Sequence, residues 1–201
     1  LSYIVLTTVL LFAFLFIFYP LFVSVTTKLS PTVFAKKIAK VALFGFSTSS
    51  SAATLPMNIE TAEKELGVSE EIASFVLPLG MTINMDGTAL MQVVATIFIA
   101  GVAGYTVHLP QLILIGLLAV IASVGTPAAP GAGAIILFTI LSGVGFTNPI
   151  ALSVYALILA INRPIEMLVT ALNVTGDTAC AMVVCKSENS LNEEVFNTVS
   201  K

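Results

Sequence analysis

Charge is what this sequence has least of. Only 9% of its 201 residues are Asp, Glu, Lys or Arg, against roughly 25% in a soluble domain. A chain so poor in charge cannot cover a surface that faces water. With 57% hydrophobic residues and a mean hydropathy of +1.04, it reads as an integral membrane protein with lipid as its surroundings. The formal net charge is −3, so there is no basic surplus to attract a nucleic acid. A single histidine, His108, argues against an imidazole-rich zinc site and is expected to be exposed at the interface. Cys180 and Cys185 fall within one helical pattern and form neither a disulfide framework nor a metal cluster. The first apolar run has no initiator methionine, basic leader or cleavage site before it. No signal peptide is read there, and the sequence is expected to be part of a longer one.

What is present is a set of apolar runs far longer than the roughly ten residues of a barrel strand, so the expected class is all-α. The run from Leu1 to Val25 can cross a bilayer with some tilt, and Pro20 is expected to kink it. Lys28, Lys36, Lys37 and Lys40 follow, four of the chain's eight basic residues. By the positive-inside rule this side is cytoplasmic. A short apolar helix, Ala35 to Phe46, then leads to the small-polar stretch Ser47 to Pro56 and a charged segment, Asn58 to Glu71. These pieces are too brief to span, and they read as a re-entrant hairpin. Irregular backbone survives at membrane depth only inside protein or beside a water-filled cavity.

The most informative stretch is Gly80-Met-Thr-Ile-Asn84-Met-Asp86-Gly87-Thr88. It interrupts an apolar segment, Ile72 to Ala103, that is otherwise long enough to cross. A carboxylate in the middle of a span is costly and needs a partner, which marks Asp86 as functional. The break frees backbone carbonyls to bind a cation. A second interrupted unit follows. Leu109 to Ala122 is apolar, Ser123 to Gly133 holds two prolines and three glycines, and Ala134 to Leu141 is apolar again. Paired interrupted segments point to a transporter site. A phosphate loop does not fit, because no strand precedes the glycines and no Gly-Lys-Ser/Thr follows them. The matched architecture predicts that the two tips meet.

The last span is expected from about Pro149 to Val184. Arg163, Glu166, Thr170, Asn173 and Asp177 fall on one stripe by their spacing of three and four, and that stripe turns toward a protein interior. The polar remainder from Lys186 is expected to be a loose cytoplasmic tail.

With these motifs in hand, the chain resembles the dicarboxylate/amino acid:cation symporter family, the glutamate transporter homologues. The residues that carry the likeness are Ser47–Pro56, Asn84-Met85-Asp86-Gly87-Thr88, Ser123-Val124-Gly125-Thr126 with Pro130-Gly131-Ala132-Gly133, and Asn173-Val174-Thr175-Gly176-Asp177. Their order and spacing match as well. The resemblance implies a transport domain over 1–186. It would comprise a span over 1–28, a re-entrant hairpin over 31–67, a broken span over 70–104, a second re-entrant hairpin over 109–145 and a span over 149–185. A polar tail would cover 187–201. It also implies a transporter, not an enzyme, in the cell membrane with a cytoplasmic C-terminus. An elevator-like movement, a homotrimer if the scaffold helices are present, and lipid as surroundings belong to the same picture.

The resemblance further implies sodium as coupling ion with no organic cofactor. One sodium would take carbonyls of Gly80, Asn84 and Asn173 with the Asp177 carboxylate. A second would take carbonyls of Thr82, Ser123, Val124 and Thr126 near Met85, and a third Asp86 and Asn84. Hard oxygen donors suit that ion. An amino acid or dicarboxylate would meet Ser49, Ser50, Ser51, Thr88, Ala129, Gly133, Glu166, Thr170 and Asn173, with the second tip as gate. Members that carry acidic amino acids place an arginine where Val169 stands, and some place another where Ser49 stands. Glu166 replaces an aspartate, and Ala128 and Ala129 replace a glycine and a valine. A small neutral amino acid such as serine, threonine or alanine is therefore expected, with an acidic amino acid or C4-dicarboxylate as the alternative. Arg163 is expected to pair with Glu166 one turn away. An intramembrane aspartyl protease using Asp86 and Asp177 matches its motif poorly, since Val174 and Met85 stand where glycine and tyrosine belong. A passive channel would not need the stripe, and a transport-inactive fragment is the remaining reading.

Overall fold

The computed structural model describes residues 2–198. Among the described residues every regular element is a helix. Three segments are long and apolar enough to cross a bilayer: Ser2–Thr27, Glu70–Val102 and Arg163–Ser187. The expected all-α membrane class holds.

The first segment contains α1 (Ser2–Ala13), a π-helical turn (Phe14–Phe18) and α2 (Tyr19–Thr27). Pro20 has no N–H for the bond to the fourth residue before it, so the register widens. Tyr19 N–H reaches back five residues to Phe14 O. The proline therefore widens one turn and leaves the segment helical. Tyr3, Leu11, Tyr19 and Val23 turn inward, whereas Phe16, Ile17, Leu21 and Val25 are exposed, as a lipid-facing side requires.

The first hairpin is α3 (Pro31–Thr48) and α4 (Ser51–Lys64), joined by Ser49 and Ser50 alone. The expected tip over Ser47–Pro56 is thus corrected to two residues. Ser50 takes an extended backbone, and its Oγ accepts from Ala53 N at 3.2 Å, an N-cap that restarts the helix at once. The first half of the charged segment is the end of α4, where Lys64 pairs with Glu60 at 2.8 Å. That hydrogen bond holds the Glu60 carboxyl below its usual range.

The broken span is α5 (Glu70–Ile83) and α6 (Asp86–Val102), separated at Asn84 and Met85. The second hairpin is α7 (Leu109–Val124) and α8 (Ala132–Val144). His108 caps α7 and is exposed, as expected. The stretch expected as one span over 149–185 is divided at Asn162 into α9 (Pro149–Ile161) and α10 (Arg163–Ser187). Pro164 is the reason. Its ring would clash with the carbonyl four residues back, and it offers no N–H to continue the ladder. Asn162 is buried at the break, accepting from the Tyr3 hydroxyl at 2.5 Å and donating to Met91 Sδ at 3.0 Å.

α10 is the axis of the molecule. It touches α1 through α6, and it is the most buried of the three long segments. The expectation of a loose tail is corrected for the residues described. α11 (Glu193–Asn197) folds back against the base of the first hairpin. Asn192 N donates to Gly67 O at 2.8 Å, and Phe196 is fully buried. Burial of the Phe196 ring, with Leu191 packed on the same core, favours the docked segment. Leu1, Val199, Ser200 and Lys201 lie outside the described residues.

Candidate functional site

The polar stripe of α10 points into the molecule, because α10 is packed on most of its circumference. Glu166, Thr170, Asn173 and Asp177 are all buried. Arg163, expected on the same stripe, starts the helix and is exposed. Its Nη1 lies 3.9 Å from Glu166 Oε2, so the expected pair exists but is loose.

The break between α5 and α6 lies against the middle of this stripe. Asn84 Nδ2 donates to Asp177 Oδ1 at 3.0 Å and to Asn173 O at 3.3 Å. Asn173 Oδ1 accepts from Gly87 N at 2.8 Å, and its Nδ2 reaches Thr88 Oγ1 at 3.2 Å and Met85 Sδ at 3.4 Å. The Tyr19 hydroxyl donates to Asp86 Oδ2. Two glycines permit this density. A Cβ on Gly80 would sit 2.9 Å from Asp177 Oδ1, and one on Gly176 would overlap the Tyr19 ring and the Asn84 amide.

Asp177 is 2% exposed. Among the described residues no lysine or arginine pairs with it or with Asp86. A buried carboxylate with neutral donors alone is undercompensated. Its oxygens, with the carbonyls released at the break, are hard donors suited to an alkali cation. The residues of the first expected sodium set, Gly80, Asn84, Asn173 and Asp177, are therefore brought together. Asp86 and Asn84 of the third set are neighbours in the same cluster. The second set draws on two elements. Thr82 lies near the end of α5 with its hydroxyl on Leu79 O. Ser123 and Val124 end α7 and Thr126 follows, with the hydroxyls of Ser123 and Thr126 turned to Val120 O and Ala122 O.

Beside this cluster the two hairpin tips meet, as expected. Ser50 Oγ donates to Ala128 O at 2.9 Å. They close a small cavity of about 30 Å³. Of the nine expected substrate residues, Ser49, Ser51, Thr88, Ala129, Gly133, Glu166, Thr170 and Asn173 line it. Ser50 does not, being spent on the contact between the tips. Val169 and Met91 supply apolar wall. The Ser49 hydroxyl is buried without a hydrogen-bond partner in the described structure. Such an orphan is unfavourable unless a ligand or water completes it. Glu166 Oε1 accepts from Ala134 N at 3.1 Å.

Sequence reasoning missed three contributors. Tyr19 is the partner of Asp86, and its signal was a phenol deep in an apolar run, where the hydroxyl must find an acceptor. Gln92 holds Gly133 O at 3.1 Å, and Asn58 holds Val174 O at 3.1 Å. Gln92 lies on a helix otherwise read for its apolar residues, and Asn58 in a segment read only as charged.

The family description that matches is "Sodium:dicarboxylate symporter family", over residues 1–187. An "Excitatory amino acid transporter" of Caenorhabditis elegans is 38% identical over 165 residues, which cover 82% of this chain and 32% of the relative. "Excitatory amino acid transporter 2" of Homo sapiens is 39% identical over 169 residues, 84% of this chain and 29% of the relative. The chain thus spans about a third of the length of the curated relatives it matches.

Proposed function

We propose that this chain, which belongs to the sodium:dicarboxylate symporter family, is the transport domain of a sodium-coupled symporter for a small neutral amino acid. Family and fold make it a multi-pass membrane protein of a transporter family. In the proposal, α3–α4 and α7–α8 enter the membrane as re-entrant hairpins, and α7–α8 is the gate. Sodium binds at Asp177 with carbonyls of Gly80, Asn84 and Asn173, at Asp86 with Asn84, and at carbonyls of Thr82, Ser123, Val124 and Thr126. The lysine-rich base of the first hairpin and the C-terminal segment face the cytoplasm. Scaffold helices outside this segment support a homotrimer, against which the domain moves in the cell membrane.

The observation that carries the substrate reading is the wall of the cavity. Among the described residues it holds one carboxylate, Glu166, and no basic side chain, while Val169 presents an apolar surface. A zwitterion with an uncharged side chain has its ammonium met by Glu166 and leaves no second anion to neutralise. An acidic side chain would bury a carboxylate near Glu166 without a bidentate cation, which is strongly unfavourable. The alternative, an acidic amino acid or dicarboxylate, draws on the printed names of the family and relatives and on Arg163, whose 3.9 Å contact leaves it free to turn.

Competition uptake by the full-length protein in proteoliposomes, with and without a sodium gradient, tests both parts. Serine, threonine or alanine is expected to compete best and only with sodium. Stronger competition by glutamate or aspartate overturns the neutral-substrate reading and makes Arg163 the carboxylate ligand.

A further inference from the structure

α8, the inner arm of the second hairpin, begins without a cap of its own. The residue before it is Gly131, in left-handed backbone at φ 86°, with no side chain to accept from the first-turn amides. The amide of Ala134, the third residue of α8, is where a capping side chain ordinarily bonds. Glu166 fills that role from another helix, its Oε1 accepting from Ala134 N at 3.1 Å. One residue earlier, Gln92 Nε2 on α6 donates to Gly133 O at 3.1 Å. Gly133 is also pressed on α6, since a Cβ there would lie 3.2 Å from both Met91 Cε and Thr88 Cγ2. The first turn of α8 is therefore pinned at successive residues by α10 and α6. Beyond these pins, the tip makes a side-chain bond across the cavity from Ser50 to Ala128 O.

We infer that Glu166 is the latch of the gate as well as a wall of the cavity, and that one carboxylate links loading to closure. The inference rests on reading the cavity as the substrate site. Oε1 closes the arm on Ala134, while Oε2 lies 3.9 Å from Arg163, which is 54% exposed. An ammonium in the cavity takes the place of Arg163 at Oε2 and holds the carboxylate aimed across the site. Occupancy and closure then stabilise one another. With the cavity empty, the carboxylate can swing out to the Arg163 guanidinium and release Ala134. Closure is favoured only by a ligand that interacts differently with the two positions, and a cation group is the chemistry that does so.

Glutamate has the reach for this role and aspartate does not. Removing one methylene withdraws the carboxylate by about 1.5 Å, beyond hydrogen-bond distance of Ala134. The test is hydrogen exchange over residues 126–135 of the full-length protein in lipid nanodiscs, with residues 149–161 as internal control for folding. Glu166→Asp is expected to speed exchange in 126–135 by about tenfold, the factor carried by one hydrogen bond to a charged group. Glu166→Gln keeps a neutral, weaker acceptor at the same reach and should exchange at a rate between wild type and Glu166→Asp while losing the response to added serine. Ala134→Pro removes the donor in the first turn of α8, where the amide has no partner within the helix, and should behave like Glu166→Asp. Exchange equal to wild type in both Glu166→Asp and Ala134→Pro overturns the latch. Absence of sodium-dependent uptake by the wild type overturns the transport reading instead, and exchange without ligand still decides whether Glu166 holds the arm.

Discussion

Lys37 and Phe196 stand 159 residues apart and are in direct contact, the Lys37 ammonium donating to Phe196 O at 2.8 Å. The same Nζ donates to Val195 O at 3.1 Å and to Glu65 O at 2.8 Å. A buried ammonium here caps the carbonyl end of α11 and ties it to the end of α4. Its position favours it, since a cation complements the negative end of a helix.

Lys37→Met is therefore expected to destabilise the protein by about 3 kcal/mol, because it strands buried carbonyls that each cost roughly 1–3 kcal/mol when unpaired. Thermal unfolding in detergent measures this, and limited proteolysis should cut first near residues 190–198. A loss under about 1 kcal/mol would mean that water satisfies those carbonyls.

Asp177→Asn should raise the sodium concentration for half-maximal uptake by tenfold or more, since an amide oxygen replaces a charged one beside a cation, a change of about 1.4 kcal/mol or more. Asp86→Asn should do the same. Uptake in proteoliposomes with unchanged sodium dependence in both variants is incompatible with sodium at these carboxylates.

Tyr19→Phe removes the donor to Asp86. It should lower stability by about 1 kcal/mol, the typical net loss of one hydrogen bond, because Asp86 is half-buried and water can replace the donor. If stability and sodium dependence both stay at wild-type values, Tyr19 only packs.

Gly176→Ala should be worse than a surface Gly→Ala change, because the new Cβ overlaps Tyr19 and Asn84. Overpacking a tight junction costs typically about 1–3 kcal/mol, and here it also forces Tyr19 off Asp86. Gly101→Ala, where a Cβ meets nothing, is the matched control, and the two variants should differ in melting temperature.

Val169→Arg should shift competition toward aspartate and glutamate by at least tenfold. It places a bidentate cation in a cavity wall that has none among the described residues. Unchanged preference would show that the side-chain end of the substrate does not face α10.

Much of the architecture was legible in the sequence for a plain reason: bilayer length and charge avoidance constrain a membrane chain strongly. The break at Asn84–Asp86, the α10 stripe and the two interrupted units each follow from polar or helix-breaking residues placed where lipid forbids them. The first tip was misjudged because serine is compatible with both loop and helix. Only the Ser50 cap decided that α4 restarts after two residues. The break at Asn162 was passed over because Pro164 is compatible with the first turn of a new helix or a kink in an old one, and Tyr3 settled which by bonding Asn162.

The sequence by itself determined the all-helical membrane class, the order of the elements and the residue types able to bind a cation, since these depend on local pattern and on the solvent. Tertiary structure alone decided which carboxylate meets which donor. Tyr19 on Asp86, Asn84 on Asp177, Glu166 on Ala134 and Lys37 on Phe196 join helices distant in sequence. No periodicity encodes such pairs. They arise because α10 is buried on nearly every side, and each polar group on it must be satisfied by whatever neighbour packing brings within reach.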